Sequence, residues 1–177
     1  MLTDGLVIRR AAAADAATLA EFGAAAFRDT FGAENTPEDI EAYLAATYHE
    51  RRQQAEIASA DTVTLIVEQE GSLIAFAQVR RGAAPSCVAL PQPVEIWRFY
   101  VAREWHGTGL AHVLMRAALD AAAELGGASV WLSVWERNPR GIRFYAKCGF
   151  ADVGSKVFVV GSDRQTDRVM ARAVAPR

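Results

Sequence analysis

The chain has 177 residues, is 51% hydrophobic and carries a formal charge of −2, the dimensions of a single domain able to bury a core. That near-neutral total argues against a nucleic-acid binder held by a basic surface, and no apolar run approaches the roughly 18 residues needed to span a bilayer. Two cysteines, Cys87 and Cys148, cannot build a disulfide framework, so a reduced, cytoplasmic setting is expected.

In chain order, Leu6–Arg10 reads as a first strand. Asp4, Arg9, Arg10 and Asp15 interrupt the opening segment, which does not read as a signal peptide, and Leu2 excludes myristoylation. Ala12–Phe27 is Ala-rich and helical, with Leu19, Phe22 and Phe27 as anchors. After a break over Phe31–Pro37, Thr36-Pro37 starts a second helix carrying Ile40, Tyr43, Leu44 and Tyr48 on one face. Glu50–Ala60 continues as a third. Thr62–Glu68 and Leu73–Arg80 are strands joined by Glu70-Gly71-Ser72, a hairpin signal. Residues 82–93, with Pro85, Pro91 and Pro93, form a loop.

Glu95–Val101 is a strong strand, and Gly107-Thr108-Gly109 follows it closely. The stripe Leu110, Val113, Leu114, Ala117, Ala118, Ala121 and Leu125 predicts a helix, which Gly126-Gly127 ends. Val130–Val134 is a strand, Pro139–Cys148 a short helix, and Val153–Val160 and Arg168–Val174 are closing strands. With no repeat and no long linker, residues 1–177 read as one domain with helices packed on a single mixed sheet.

Chemistry concentrates in two segments. In the first, a strand runs through Gly107-x-Gly109 into a helix. Free N–H groups and the macrodipole at a helix start make an anion site, and glycines let a phosphate approach the backbone. A dinucleotide fingerprint would want a small residue where His112 stands and an acid after a second parallel strand, with more chain than remains. There is no Walker phosphate loop and no G-x-S-x-G elbow, and His49, His106, His112 and the cysteines show no metal-ligand spacing.

The second segment reads Asn138-Pro-Arg-Gly141-Ile-Arg-Phe144-Tyr145-Ala-Lys-Cys-Gly149-Phe150. Taken with the first, it resembles the GCN5-related N-acetyltransferase (GNAT) superfamily, in which an R/Q-x-x-G-x-G/A turn holds the coenzyme A pyrophosphate and an N-x-x-A-x-x-F-Y-x-x-x-G-F helix supplies an Asn and a Tyr. Glu95-Ile-Trp-Arg-Phe-Tyr-Val101, Trp105-His-Gly-x-Gly, Phe27-Arg-Asp-Thr-Phe31-Gly32 with Asn35, and the tail from Gly154 through Phe158, Gly161, Gln165 and Asp167 to Met170 extend the likeness to the PaiA-type branch. The resemblance implies a mixed α/β fold with a mostly antiparallel sheet of six or seven strands, splayed at the acetyl-CoA site. It implies an N-acetyltransferase using acetyl-CoA, no metal, and a small-molecule amine, a polyamine such as spermidine or spermine, as acceptor. No nucleic-acid or membrane partner is implied, and a homodimer is compatible with it. Other amines, or a non-catalytic acyl-CoA sensor, are the alternatives.

Residue by residue, the resemblance implies Tyr145 as proton donor to the departing thiolate. A phenol, with an ordinary pKa of about 10, nearly matches an alkyl thiol. Otherwise Tyr145 is a core aromatic. Glu95 is a candidate base, or a strand-end acid. Phe99, Tyr100 and Val101 are expected along the coenzyme, with the Val101 N–H as an oxyanion donor. Residues His106, Gly107, Thr108, Gly109, Leu110 and Ala111 form the pyrophosphate cradle. Asn138 is a coenzyme contact, a helix cap, or both. Two positions depart from the pattern: Glu104 stands where R/Q opens the turn, and Gly141 where Ala is usual. His106 and His112 read as surface residues and Cys148 as a packing thiol. Finally, residues 1–90 carry 7 basic and 13 acidic side chains and residues 91–177 carry 12 and 8. The expected meaning is a phosphate-neutralising half facing an acidic acceptor wall built from Glu34, Glu38, Asp39 and Glu41.

Overall fold

A computed structural model describes residues 5–174. In order these form β1 (Leu6–Arg10), a 3-10 turn (Ala13–Asp15), α1 (Ala16–Phe31), α2 (Pro37–Thr47), α3 (Glu50–Ala58), β2 (Thr62–Gln69) and β3 (Ser72–Arg81). There follow β4 (Pro93–Val101), a second 3-10 turn (Arg103–Trp105), α4 (Leu110–Glu124), β5 (Ser129–Trp135), α5 (Pro139–Lys147), β6 (Ala151–Val160) and β7 (Asp163–Ala173). The seven strands make one sheet in the order β1-β2-β3-β4-β5-β7-β6, antiparallel except where β4 meets β5. This is the mixed, mostly antiparallel sheet that the motifs imply.

Local chemistry accounts for most element ends. The Thr36 hydroxyl accepts from Asp39 N–H at 3.2 Å and Pro37 occupies the first turn of α2. Glu70 and Gly71 both have positive φ, +51° and +77°, the geometry of a tight hairpin turn between β2 and β3. Several boundaries shift from the sequence reading, and two of the shifts have a clear physical cause. α1 continues past Phe27 to Phe31, because nothing before Gly32 breaks the helix and the Phe31 ring stacks on Phe27 at 4.5 Å. β7 begins at Asp163, five residues before the expected Arg168. The stretch Asp163–Asp167 is too polar to signal a strand alone, and its partner β6 imposes the pairing, Val160 against Asp163 through Lys156 against Asp167.

Helices cover both faces. Leu110, Leu114, Met115, Ala118 and Ala121 of α4 bury one face with Val79, Ile96, Leu132 and Met170. On the other, Leu19, Phe27 and Phe31 of α1 and Ile40 and Leu44 of α2 pack on Ile66, Phe76 and Trp135. The 82–92 loop lays Val88 over Trp131 and Val169 on this second face.

Two irregularities shape the centre. β4 and β5 pair only from Pro93–Ser129 to Glu95–Trp131, and beyond that each strand pairs only with its outer neighbour. The sheet is therefore split into a wedge. The β3–β4 register also slips between Gln78 and Val79, leaving Trp97 as an extra residue. Ile96 and Phe99, three apart, consequently share the α4 face. A bulge of this kind bends and twists its strand. The slip is held by charge: the Arg80 and Arg98 guanidinium groups lie 3.6 and 3.8 Å from the Trp97 ring centroid, Arg80 pairs with Glu95 at 2.6 Å, and Arg98 pairs with Glu56 of α3 at 2.5 Å.

Arg98 is buried and also donates to Gln78, which donates to Thr64 and Gln53. Burial alone would raise Glu56, but Arg98 outweighs it and holds that carboxyl below its usual value. Removing one member of such a pair strands the other. Arg98→Met should cost about 3–5 kcal/mol in urea unfolding, and adding Glu56→Leu should recover a large part of that. Equal losses in the single and double variants would show that the pair is not coupled.

Candidate active site

The wedge exposes backbone that a continuous sheet would consume. Ala102 N–H donates to Ile74 C=O at 2.8 Å, and in the same antiparallel register Tyr100 is likewise turned toward β3. Strand alternation then turns the N–H and C=O of Phe99 and Val101 into the wedge. Of the three β4 residues expected along a coenzyme, Phe99 and Val101 offer backbone there and Tyr100 does not. Tyr100 faces the α1–α2 side, where it stacks on Phe76 at 5.5 Å and hydrogen-bonds Tyr48; burial pushes its hydroxyl well above the ordinary range.

At the open end of the wedge lies the glycine turn. Gly107 and Gly109 have φ of +81° and +93°, and a Cβ at either would meet no atom within 4 Å. Their glycine requirement is conformational, and the space beside them is open to a ligand. Gly109 caps α4, whose burial pattern seats Leu110 in the core and leaves Ala111 half-exposed. Thr108 Oγ1 donates to Trp105 C=O at 2.8 Å, tying the turn to its base. Among the described residues, the N–H groups of Gly107, Gly109 and Ala111 have no protein acceptor. His106 reaches back, its Nε2 2.9 Å from Val101 C=O, while Arg140 Nη1 lies 2.8 Å from His106 Nδ1. Arg140 can only donate, so this pairing assigns the ring proton to Nε2, which donates to the carbonyl. Glu104 stands exposed in the 3-10 turn. The basic group beside the cradle is thus Arg140, from a segment 34 residues beyond His106.

Asn138 begins α5: its Oδ1 accepts from Gly141 N–H at 2.9 Å, leaving the side-chain amide NH2 for other partners. A Cβ at Gly141 would lie 2.9 Å from Asn138 Nδ2, so the Ala usual in this motif would crowd the cap. Tyr145 is half-buried on the α4 face among Phe99, Phe144 and Phe150, with centroids 6.2, 5.4 and 6.0 Å away. Burial pushes its hydroxyl above the ordinary phenol range. Cys148 Sγ lies 3.8 Å from His112 Nδ1, a neighbour the sequence motif did not supply, and burial raises the thiol. Glu95 is buried at the closed end of the wedge, paired with Arg80.

Two of the four acids of the expected wall are ion-paired, and a third is held by neutral hydrogen-bond donors. Glu34 pairs with Arg137 at 2.8 Å and Glu41 with Arg28 at 2.8 Å, while Asp39 accepts from Ser162 N–H at 2.7 Å and from Thr36. Sequence reasoning did not single out Arg98 or Arg140 as parts of the site. A charged residue inside the apolar run of β4 was the available signal for Arg98. Among the described residues no group of His, Cys, Asp and Glu could hold a metal, and no helix is long and apolar enough to cross a membrane.

Residues 25–150 match the acetyltransferase (GNAT) family. The chain is 32% identical over 148 residues to an uncharacterized N-acetyltransferase encoded in the pepI 3' region of Lactobacillus delbrueckii subsp. lactis, covering 84% of this chain and 86% of that one. It is 38% identical over 101 residues to streptothricin acetyltransferase of Streptomyces lavendulae, 56% of this chain and 50% of that one. Its fold is similar to that of the PaiA N-acetyltransferase of Thermoplasma acidophilum, solved with coenzyme A, at a TM-score of 0.74 and 23% identity over 95% of this chain and 98% of that one. The split sheet and glycine turn are those of an acyltransferase domain. The chain belongs to the GNAT family of N-acetyltransferases.

Gly109→Ala places a Cβ on a left-handed residue and should cost about 1–2 kcal/mol in urea unfolding. Gly141→Ala, despite better helix propensity, should give no net stabilisation because it displaces the Asn138 cap.

Proposed function

We propose that this enzyme transfers the acetyl group of acetyl-CoA to a small primary amine by direct attack in a ternary complex. The observation that carries the reading is the wedge, with the Phe99 backbone and the Val101 N–H turned into it without a strand partner and the unbonded N–H groups of Gly107, Gly109 and Ala111 at its mouth. The residues present fit the coenzyme: the turn and Arg140 suit the pyrophosphate, the Phe99 and Val101 backbone suits pantetheine amides, and the Asn138 amide is free to donate. Arg140 supplies the side-chain charge that Glu104 does not.

Within the wedge, the Val101 N–H is an oxyanion donor for the tetrahedral intermediate. Tyr145 protonates the sulfur as the C–S bond breaks. Its raised pKa does not spoil the match, since the dry surroundings that disfavour a phenolate disfavour the departing thiolate too. Glu95, the other acid–base candidate, would have to release Arg80 before acting on an amine.

For the acceptor, the PaiA-type sequence features support a polyamine such as spermidine or spermine. The streptothricin acetyltransferase similarity supports a second reading, an antibiotic amine. With Glu34 and Glu41 each paired with an Arg and exposed charges weak in their pull, α2 gives a polyamine little attraction, so replacing Glu34, Glu38, Asp39 and Glu41 should leave the KM for spermidine within about twofold at low salt. Thiol release from acetyl-CoA against spermidine, spermine, amino acids and streptothricin tests the activity. Coenzyme binding without release on any amine would favour a sensor. Tyr145→Phe should lower kcat at least 100-fold with coenzyme affinity unchanged. Equal loss of both, or none, would remove Tyr145 from the chemistry.

A further inference from the structure

The α2-facing side of β5 and β7 holds buried polar atoms with no hydrogen-bond partner: Asp167 Oδ1, Gln165 Oε1 and Trp131 Nε1. Asp167 is the exceptional one, a carboxylate only 6% exposed. The buried carboxylate of β4, Glu95, is clamped by Arg80, and the partly buried Glu56 of α3 is clamped by Arg98. Among the described residues no cation lies within ion-pair distance of Asp167. Its register neighbour on β6, Lys156, instead places its ammonium 5.2 Å from the Trp131 ring centroid. An uncompensated buried carboxylate is costly, and folds keep such groups where a ligand supplies the missing partner.

Its orientation follows from alternation. Met170 packs into the α4 core, so Gln165, Asp167 and Val169 face the opposite side. Asp167 is the register partner of Trp135, whose ring meets Phe31 of α1 at 5.4 Å. Tyr43 of α2 is near enough for the Asp167 charge to raise its hydroxyl, a push secondary to burial. Every charged or titratable neighbour can be named. Burial raises the Asp167 carboxyl, a hydrogen bond from Ser133 of β5 and the charge of Lys156 of β6 lower it, and Glu136 beyond β5 raises it further; the net shift is upward. Tyr145 lies on the other face of the sheet. Tyr145 and Asp167 thus lie on opposite faces of the sheet, Asp167 on the strand next to β5 with Oδ1 left without a hydrogen-bond partner.

We propose that Asp167 receives the ammonium group of the acceptor and removes its proton, the acceptor entering from the α2 face while Ser133 orients the carboxylate. This rests on the acetyl-transfer reading and deepens it. The ligand class is a primary alkylammonium presenting one charge to one buried carboxylate, with aromatic surfaces from Trp135 and Tyr43 to favour the cation. The step balances. The ammonium gives one proton to Asp167, and the neutral amine forms the C–N bond at the thioester carbon. The C–S pair leaves on sulfur and takes the Tyr145 proton. The nitrogen loses its second proton through solvent, which restores Tyr145, and Asp167 releases its own, for one proton net. A base with a raised pKa is better matched to this task than an ordinary carboxylate.

Asp167→Asn in the full chain tests the idea. With the best amine of the panel, kcat/KM should fall at least 100-fold, coenzyme affinity should stay the same, and the acidic limb of the pH–rate profile should disappear; Asp167→Glu should restore that limb in part. Stability separates a structural role from this one. An acid whose folded pKa is raised contributes stability below its unfolded pKa, and that contribution is lost as pH rises through the folded value. Asp167→Asn should therefore melt above the wild type at pH 8, whereas loss of a structural carboxylate would lower the melting temperature. A third readout does not depend on turnover. In the coenzyme-bound protein, saturation with n-butylammonium should lower the Asp167 carboxyl titration followed by carbon-13 NMR. An unmoved titration, or an Asn variant within twofold of wild type, overturns the assignment. Absence of thiol release by the wild type on any amine would overturn the acetyl-transfer reading alone, leaving the NMR titration to decide whether Asp167 is an ammonium site.

Discussion

The interrupted pairing of β4 with β5 is the constraint on which the rest of the structure depends. Three residues on each strand meet, Pro93–Glu95 and Ser129–Trp131, and then the strands part. A sheet does not give up backbone hydrogen bonds without compensation. Here the compensation begins at the bulge: Trp97 is the extra residue, stacked by Arg80 and Arg98, whose charges are balanced by Glu95 and Glu56. In the four-residue run Glu95-Ile96-Trp97-Arg98, every side chain except Ile96 works to hold one irregularity open. In the proposed reading, the coenzyme would complete hydrogen bonds that the fold has left unmade.

This arrangement recasts Glu95. Its sequence position, opening the strand before the glycine turn, suits a base reaching for an amine. Its pairing with Arg80 at the closed end of the wedge makes it part of the bulge clamp. The unclamped buried carboxylate, Asp167, arrives from the far end of the chain on β7. The two residues proposed for amine acetylation, Tyr145 as donor for sulfur and Asp167 as acceptor of the ammonium proton, fall on opposite faces of the sheet. Two substrates can approach from two sides without competing for entry.

The charge asymmetry between the halves of the chain also takes on a different meaning. Much of it is spent across the fold: Arg137 of the basic half meets Glu34 of the acidic half, Arg98 meets Glu56, and Arg10 meets Glu124 in the reverse sense. The exposed pairs among these contribute little to stability, and they offset part of the acidic surface that a polycation would have sought. The groups proposed for recognition are local, Arg140 beside the glycine turn and Asp167 on the opposite face of the sheet from Tyr145.

The sequence by itself determined whatever is settled within a few residues. Thr36-Pro37 starts α2, Glu70-Gly71 turns a hairpin, Gly107 and Gly109 adopt the φ values that only glycine takes readily, and Asn138-Pro139 caps α5. The motifs also carried the family by resemblance, and with it the mostly antiparallel sheet that the resemblance implies. Tertiary structure alone decided the rest. β7 begins at Asp163 because β6 pairs with it, not because its residues favour a strand. Whether Tyr100 or Val101 turns its backbone to the wedge depends on register with β3. Glu95 and Asp167 look alike in a list of acids, and they differ because an Arg from β3 pairs with one while, among the described residues, no cation comes within ion-pair distance of the other. Such pairings join residues far apart in the chain, and their strength depends on burial and on the face each strand presents, neither of which exists until the sheet has formed.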